Sequence, residues 1–585
     1  MRTPSLQYLY MQKPITMVAL ICALAVLPWI GLSDFSTKGE PREAAVAVSM
    51  LQTGNWVLPG VYADEFAYKP PFTHWIMAVF SLPQGHVSEF TARLPSALAY
   101  IFLIGFTLFF FGERVKFQEA FIAALLLATC FEIHRAGLAA RVDMVTTAFI
   151  VLSLYALYWW EERLELKGLP ISIPLLLGCA TLAKGPVGVV LPLFVFGVYL
   201  LVLKKYRPLV FFKALFYAGV SSLFLPLVWY VAAWRQGGDD FLNVVLAENF
   251  GRFFHIGHAS LNYDLGHENG LWYNPAMLLA GFIPWSLLAC FSLFGMKYRL
   301  PQGKLSSALQ KAWTQIRSME KLKLFSLVAA ACILFFYSIP SSKRGVYIMP
   351  AYPFVALFLA EYLLHIATYR EKVTRVFAGF LAATATLVFA LAGAIMAGFD
   401  LASFAARFMH KAPSLIKVEA ISKALASPDY LTVFILSAGL LALCSVFYHI
   451  SKKNNLKVLY ATIFLAFSIN LLIDGVVMRS IHNESSAQPF AEHITKEYSL
   501  SHTNTYVMNN LKEYANLYGL NFYMNNTFLN FEKEQPESGY FLVAEKDADK
   551  ATNRYAPRYH FHLLATSPWI SDLNQKILLF QFHSY

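Results

Sequence analysis

Six residues scattered along the chain are of the types that manage a phosphate leaving group and a hydroxyl acceptor: Glu40, Lys69, Asp143, Arg252, Lys343 and Tyr347. A carboxylate can take the proton of a hydroxyl as a new bond forms. Arginine and lysine carry the positive charge that a phosphate needs, arginine in a bidentate fork. Glu40 stands in Lys38-Gly39-Glu40-Pro41-Arg42-Glu43. Pro41 suits the first turn of a helix, and acids there face its positive end. Glu40 and Glu43 therefore read either as helix-start acids or as carboxylates held for chemistry beside Arg42. Lys69 precedes Pro70-Pro71, which keeps it in an extended segment. It either anchors the chain at an interface or points a cation at a lipid phosphate. Asp143, two residues after Arg141, begins an apolar run, where an acid either caps a helix or acts in a site.

Two further stretches carry candidates. Glu248-Asn249-Phe250-Gly251-Arg252 is followed by His255, His258 and His267-Glu268. Three histidines in one loop raise the question of a metal. Their spacing is irregular and neither HExxH nor CxxC accompanies them, so no metal ligand is assigned and no cofactor is required. Ser341-Ser342-Lys343-Arg344-Gly345-Val346-Tyr347 places two cations together between apolar runs, which asks for an anionic partner, a substrate phosphate or ordinary lipid headgroups.

The elements that must position these residues are membrane helices. The chain has 585 residues, of which 57% are hydrophobic and 14% charged. A soluble domain carries about 25% charged residues, and no single core can hide so large an apolar excess. Thirteen apolar runs approach the roughly 20 residues of a membrane-crossing helix. They begin near Ile15, Leu94, Ala120, Met144, Leu169, Pro186, Ala214, Leu271, Leu324, Gly345, Val376, Tyr430 and Val458. The first is followed by many others and lacks a small-residue cleavage site, so it reads as an uncleaved span rather than a signal peptide. The six cysteines lie singly inside apolar runs and read as buried hydrophobes.

Charge sets the orientation. With thirteen spans and an inside N-terminus, the basic clusters at Arg114/Lys116, Lys204/Lys205/Arg207, Arg370/Lys372/Arg375 and Lys452/Lys453/Lys457 all fall in the cytoplasm. That is the positive-inside pattern, and it accounts for the net charge of +11 without invoking nucleic acid. Counting 71–83 as another span would reverse every later cluster, so that segment is expected to lie in the interface. The acids then gather outside, as do all six candidates above. The outer loops 34–93, 132–143 and 235–270 are expected to form one site on a transmembrane unit, 1–475. Residues 476–585 turn polar, with alternating and helical stretches, and predict a small outer α/β domain.

The runs Gly39-Glu40-Pro41-Arg42-Glu43-Ala44, Gly54-Asn55-Trp56-Val57, Tyr68-Lys69-Pro70-Pro71 and Ala92-Arg93-Leu94-Pro95-Ser96 resemble the bacterial aminoarabinose transferases. So do Ala140-Arg141-Val142-Asp143-Met144, Ala183-Lys184-Gly185-Pro186, Glu248 to Phe253, Gly281 to Trp285, and Ser342-Lys343 with Tyr347. These transferases, with the protein O-mannosyltransferases, form part of the GT-C superfamily of glycosyltransferases. The resemblance implies an all-α polytopic GT-C fold of about thirteen spans. It further implies a polyprenyl-phosphate-linked sugar as donor, and lipid A, another glycan or a protein hydroxyl as acceptor, in a bacterial inner membrane. By the same resemblance Lys69, Arg252 and Tyr347, joined by Lys343, hold the lipid phosphate. Glu40 activates the acceptor or orients the donor, Asp143 assists, and Arg42, Arg141 and His267 support. The family commonly has Asp-Glu where this chain has Gly39-Glu40; either Glu40 replaces that Asp or Asp143 does more. A transporter or flippase is the competing reading, since buried charge among many spans fits it too.

Overall fold

The computed structural model describes residues 6–248, 268–293, 305–340, 342–409, 411–501, 503–509 and 513–585. The chain opens with α1 (Leu6–Val26), α2 (Gly39–Thr53) and α3 (Phe72–Ser81). There follow α4 (Glu89–Gly112), α5 (Phe117–Thr129), α6 (Phe131–Gly137), α7 (Val142–Leu164), α8 (Ser172–Lys184), α9 (Val187–Leu203) and α10 (Pro208–Ser222). Further long helices run to residue 472.

Among the described residues, eight helices are long and apolar enough to cross a membrane. Two bent pairs raise that to ten, α5 with α6 (64°) and Tyr273–Gly281 with Trp285–Leu293 (106°). Three shorter apolar helices, Lys13–Val26, α8 and α9, accompany them. Each of the thirteen apolar runs falls on its own helix or bent pair, although the short ones do not by themselves establish a crossing. The 208–246 stretch leaves Phe212, Phe216, Tyr217 and Phe224 more than half exposed, an apolar surface suited to lipid.

The segment bounded by Pro71 and Pro83 forms α3, ten residues and thus about 15 Å long. That is half the hydrocarbon thickness, so it does not cross. Thr73, His74, Met77, Ala78 and Ser81 form its buried face, while Val79 and Phe80 are exposed. The start of α4 is fixed by a reciprocal cap: Thr91 N–H donates to Ser88 Oγ (3.3 Å) and Ser88 N–H to Thr91 Oγ1 (3.0 Å). Arg93, in the first turns of α4, is thereby set toward the 34–93 loop.

The tail carries a five-stranded mixed sheet in the order β4-β3-β5-β7-β6. Its strands are β3 (Thr505–Val507), β4 (Leu529–Asn530), β5 (Ser538–Ala544), β6 (Tyr559–Thr566) and β7 (Ile577–Ser584). β3 runs parallel to β4 and β5, and β7 antiparallel to β5 and β6. The α/β character expected of the tail is present. The sheet does not stand apart: Phe35, Val48, Val61 and Tyr62 of the first loop share one apolar core with Leu517, Tyr518 and Phe522. A small hairpin, β1 (Gly60–Tyr62) with β2 (Glu65–Phe66), supplies the loop's half of that contact.

Candidate active site

α2 carries the two glutamates, and the structure gives them different partners. Glu40 is enclosed, 4% exposed. Its Oε1 accepts from Arg93 Nε (2.9 Å) and Ala140 N–H (3.1 Å), and its Oε2 from Thr37 Oγ1 (3.1 Å). Arg93 also donates to the carbonyls of Ile30 (2.9 Å) and Asp34 (3.2 Å) and lies 4.9 Å from the Phe35 ring centre. Burial pushes the Glu40 carboxyl up, and the Arg93 charge more than reverses this, holding it below the usual range. The pair ties the end of α1, the start of α2 and the turn before α7 together. Both oxygens of Glu40, for which a catalytic role is expected, are engaged here by Arg93, Ala140 and Thr37.

Glu43, one helical turn on, faces a different set. Its Oε1 pairs with Lys69 Nζ, and its Oε2 lies 2.8 Å from His74 Nε2. His74 is buried, whereas the Lys69 side chain keeps 32% of its surface. Burial raises the Glu43 carboxyl, but the Lys69 charge and the His74 contact bring it well below the ordinary carboxylate range. Arg42 donates to Tyr68 Oη (3.3 Å) beside them. Arg42, Glu43, Tyr68, Lys69 and His74, with Val46, Val61 and Ala67, line a cavity of about 10 Å³, room for one water.

A second cluster adjoins the first. Asp143, at the start of α7, pairs with Lys184, the last residue of α8. The Lys184 ammonium sits 4.3 Å from the centre of the Tyr347 ring, which packs against Tyr337 at 5.6 Å. The charges of Arg141 and Lys69 also reach the Asp143 carboxylate. Arg141 bridges to α2 as well, for its guanidinium lies against Gly39: a Cβ there would come within 2.2 Å of Nη2. The room that glycine leaves at this position is occupied by Arg141.

Lys343 is buried, and its Nζ donates to the Asn269 carbonyl (2.9 Å) while Asn269 Nδ2 donates to the Lys343 carbonyl (3.1 Å). This reciprocal pair, beside the Glu268–Ser342 bridge, engages the ammonium in joining two loops. Arg252 and His267 lie outside the described residues. Among the described residues no group of three or more His, Cys, Asp or Glu side chains is arranged to hold a metal.

Sequence reasoning singled out Lys69, Asp143, Tyr347, Arg42 and Arg141, and the structure brings these together. It missed His74, and it gave no role to Lys184 or Arg93. The signals were present: His74 faces Glu43 from the amphipathic segment that begins at Pro71, and Lys184 and Arg93 each stand inside a quoted motif. An apolar groove opens between α9 and α10, lined by Val189, Val190, Leu193, Leu215, Phe216, Gly219, Val220 and Leu223.

Residues 68–234 match the family model described as dolichyl-phosphate-mannose-protein mannosyltransferase. Among curated proteins, the chain is 26% identical over 355 residues to an undecaprenyl phosphate-alpha-4-amino-4-deoxy-L-arabinose arabinosyl transferase of Erwinia tasmaniensis, covering 60% of this chain and 59% of that one. An uncharacterized protein of Aquifex aeolicus is 28% identical over 339 residues, covering 57% and 60%. The chain thus spans less than two thirds of the length of the curated relatives it matches. The crystal structure of ArnT from Cupriavidus metallidurans bound to undecaprenyl phosphate superposes with a TM-score of 0.69 at 16% identity, covering 97% of both chains. With its multi-pass helical bundle and tail sheet, the chain has the GT-C fold and resembles the aminoarabinose transferases.

Proposed function

We propose that this protein is a membrane glycosyltransferase that moves a sugar from a polyprenyl-phosphate donor to an acceptor at the outer face of the bacterial inner membrane. The observation that carries this reading is the Lys69–Glu43–His74 cluster beside Arg42, adjoining Asp143–Lys184–Tyr347. Cations suited to a phosphate and a carboxylate suited to a hydroxyl meet within one site. The apolar groove between α9 and α10 is of a chemistry suited to a polyprenyl chain. The named relatives matched are transferases, and the transporter alternative finds no support among them.

The chemistry follows from the charges. Donor phosphate draws the Lys69 ammonium away from Glu43, with Lys184 and Arg42 as further cations. Glu43, relieved of Lys69, gains basicity and remains oriented by His74, so it becomes a competent base only when donor is bound. The acceptor oxygen attacks the anomeric carbon, its proton passes to Glu43, and the bond from that carbon to phosphate oxygen breaks. The electron pair leaves on the polyprenyl phosphate, where the cations stabilise it. A single displacement inverts the anomeric configuration. The acceptor belongs to the class of envelope hydroxyls or phosphates: lipid A, another glycan or a protein side chain.

Purified protein mixed with a polyprenyl-phosphate sugar and envelope lipid is expected to release free polyprenyl phosphate. Mass spectrometry of envelope lipids and glycans from cells with and without the protein would then show one hexose- or pentose-sized difference. No release and no difference would overturn the proposal.

A further inference from the structure

We infer that Tyr518, in the C-terminal sheet domain, is a positioning residue for Arg42, and that the domain thereby completes the phosphate-binding wall of the site. The inference rests on the reading of the Arg42–Lys69 cluster as that site. Arg42 lies between two aromatic rings, its guanidinium carbon 5.6 Å from the centre of Tyr68 and 5.5 Å from that of Tyr518. Tyr68 comes from the same loop as Arg42. Tyr518 arrives from far along the chain and is 1% exposed. An arginine held between two ring faces is fixed in direction while its donors stay available for an anion.

The ring is itself held by contacts with the first loop. Leu517 N–H donates to Tyr62 Oη (3.3 Å), Tyr518 Oη donates to Glu65 Oε2 (3.3 Å), and the Tyr62 and Tyr518 rings meet edge to face at 5.1 Å. Gly519 N–H donates to Asp572 Oδ2 (3.2 Å), and a Cβ at Gly519 would lie 2.5 Å from that oxygen. The backbone around Tyr518 is therefore locked from both sides, so its ring has one place to go. A domain with only a covering role would need apolar contact; this one presents an aromatic face to a half-buried cation of the site.

The test uses the full-length protein and undecaprenyl phosphate in detergent, with Tyr518 replaced by Phe and by a series of fluorinated Phe analogues. Fluorination drains the ring's negative face at nearly constant shape, so packing is preserved along the Phe series. Relative to Tyr518→Phe, affinity is expected to fall stepwise along the fluorinated series, to roughly tenfold weaker at its end. Starting from Arg42→Ala, the same series should be flat. Affinity that ignores fluorination in the Arg42 protein would overturn the inference. Lys69→Ala separates the two levels of argument. If it binds undecaprenyl phosphate like wild type, the site reading itself fails; if it loses binding while the series stays flat, only the role of Tyr518 fails.

Discussion

Lys69 Nζ rests on Glu43 Oε1, so the cation proposed to meet a donor phosphate is the one that masks the carboxylate proposed as base. The two residues oppose each other in the resting site. Glu43→Gln is therefore expected to split their functions. Turnover should fall by about 10²–10⁴, the usual contribution of a general base. Binding of undecaprenyl phosphate should hold or tighten, because Lys69 no longer has a carboxylate to leave. Lys69→Ala should instead lose binding and turnover together. Calorimetric binding alongside product release checks both; weaker binding in Glu43→Gln would contradict the exchange.

Glu40→Gln should behave differently although it lies on the same helix. Its partner Arg93 is buried, and removing one member of such a pair leaves an uncompensated charge costing about 3–5 kcal/mol. The expected result is a lower unfolding temperature in detergent, with turnover per folded molecule near that of wild type. Because Arg93 holds the Glu40 carboxyl below its unfolded value, its contribution is present above the ordinary carboxylate pKa and is lost as pH falls through the folded one. Wild-type stability should thus decline on acidification more steeply than that of the variant. A fully stable but inactive Glu40→Gln protein would restore Glu40 to the chemistry.

Much of this was legible in the sequence because hydropathy and loop charge are properties of single segments. The thirteen apolar runs, the tail domain and the grouping of Lys69, Asp143 and Tyr347 needed no knowledge of how helices pack. The different partners of Glu40 and Glu43 did need it. Both are acids in the first turns of α2, and only the direction of each side chain assigns one to Arg93 and the other to Lys69. His74 was invisible for a related reason: an isolated histidine on an apolar helix acquires meaning only from the carboxylate opposite it. The docking of Tyr518 on Arg42 joins residues far apart in the chain, and no local pattern announces it.

Gly39→Ala should disturb the site through Arg141. The new Cβ would stand 2.2 Å from Arg141 Nη2, so the guanidinium must swing aside, taking its charge away from Asp143. The helix start itself tolerates alanine well, so stability should change little. Turnover is expected to drop severalfold, and Arg141→Ala made in the Gly39→Ala protein should add little further loss. Fully additive losses, or no loss from Gly39→Ala, would show that Arg141 does not act from this position.

Asp572 offers a pH-dependent reading of the tail domain. Its carboxyl is pushed up to about 6, chiefly by burial, against an ordinary value of 3.8, while it accepts from Gly519 N–H. A carboxyl whose pKa is higher folded than unfolded takes up protons on folding, so the folded state is favoured while the group is protonated. That advantage is fully present below the unfolded value, shrinks as pH climbs between the two, and is gone above about 6. At pH 7 the buried charge therefore costs stability, at most about 3 kcal/mol for a shift of this size. Asp572→Asn keeps an acceptor for Gly519 and removes the charge. The variant's tail should resist proteolysis and heat better than wild type at pH 7, and the difference should vanish near pH 4. A variant less stable than wild type at pH 7 would mean that the Asp572 charge stabilises the docked tail, with Lys38, the nearest cation acting on it, as the partner to examine.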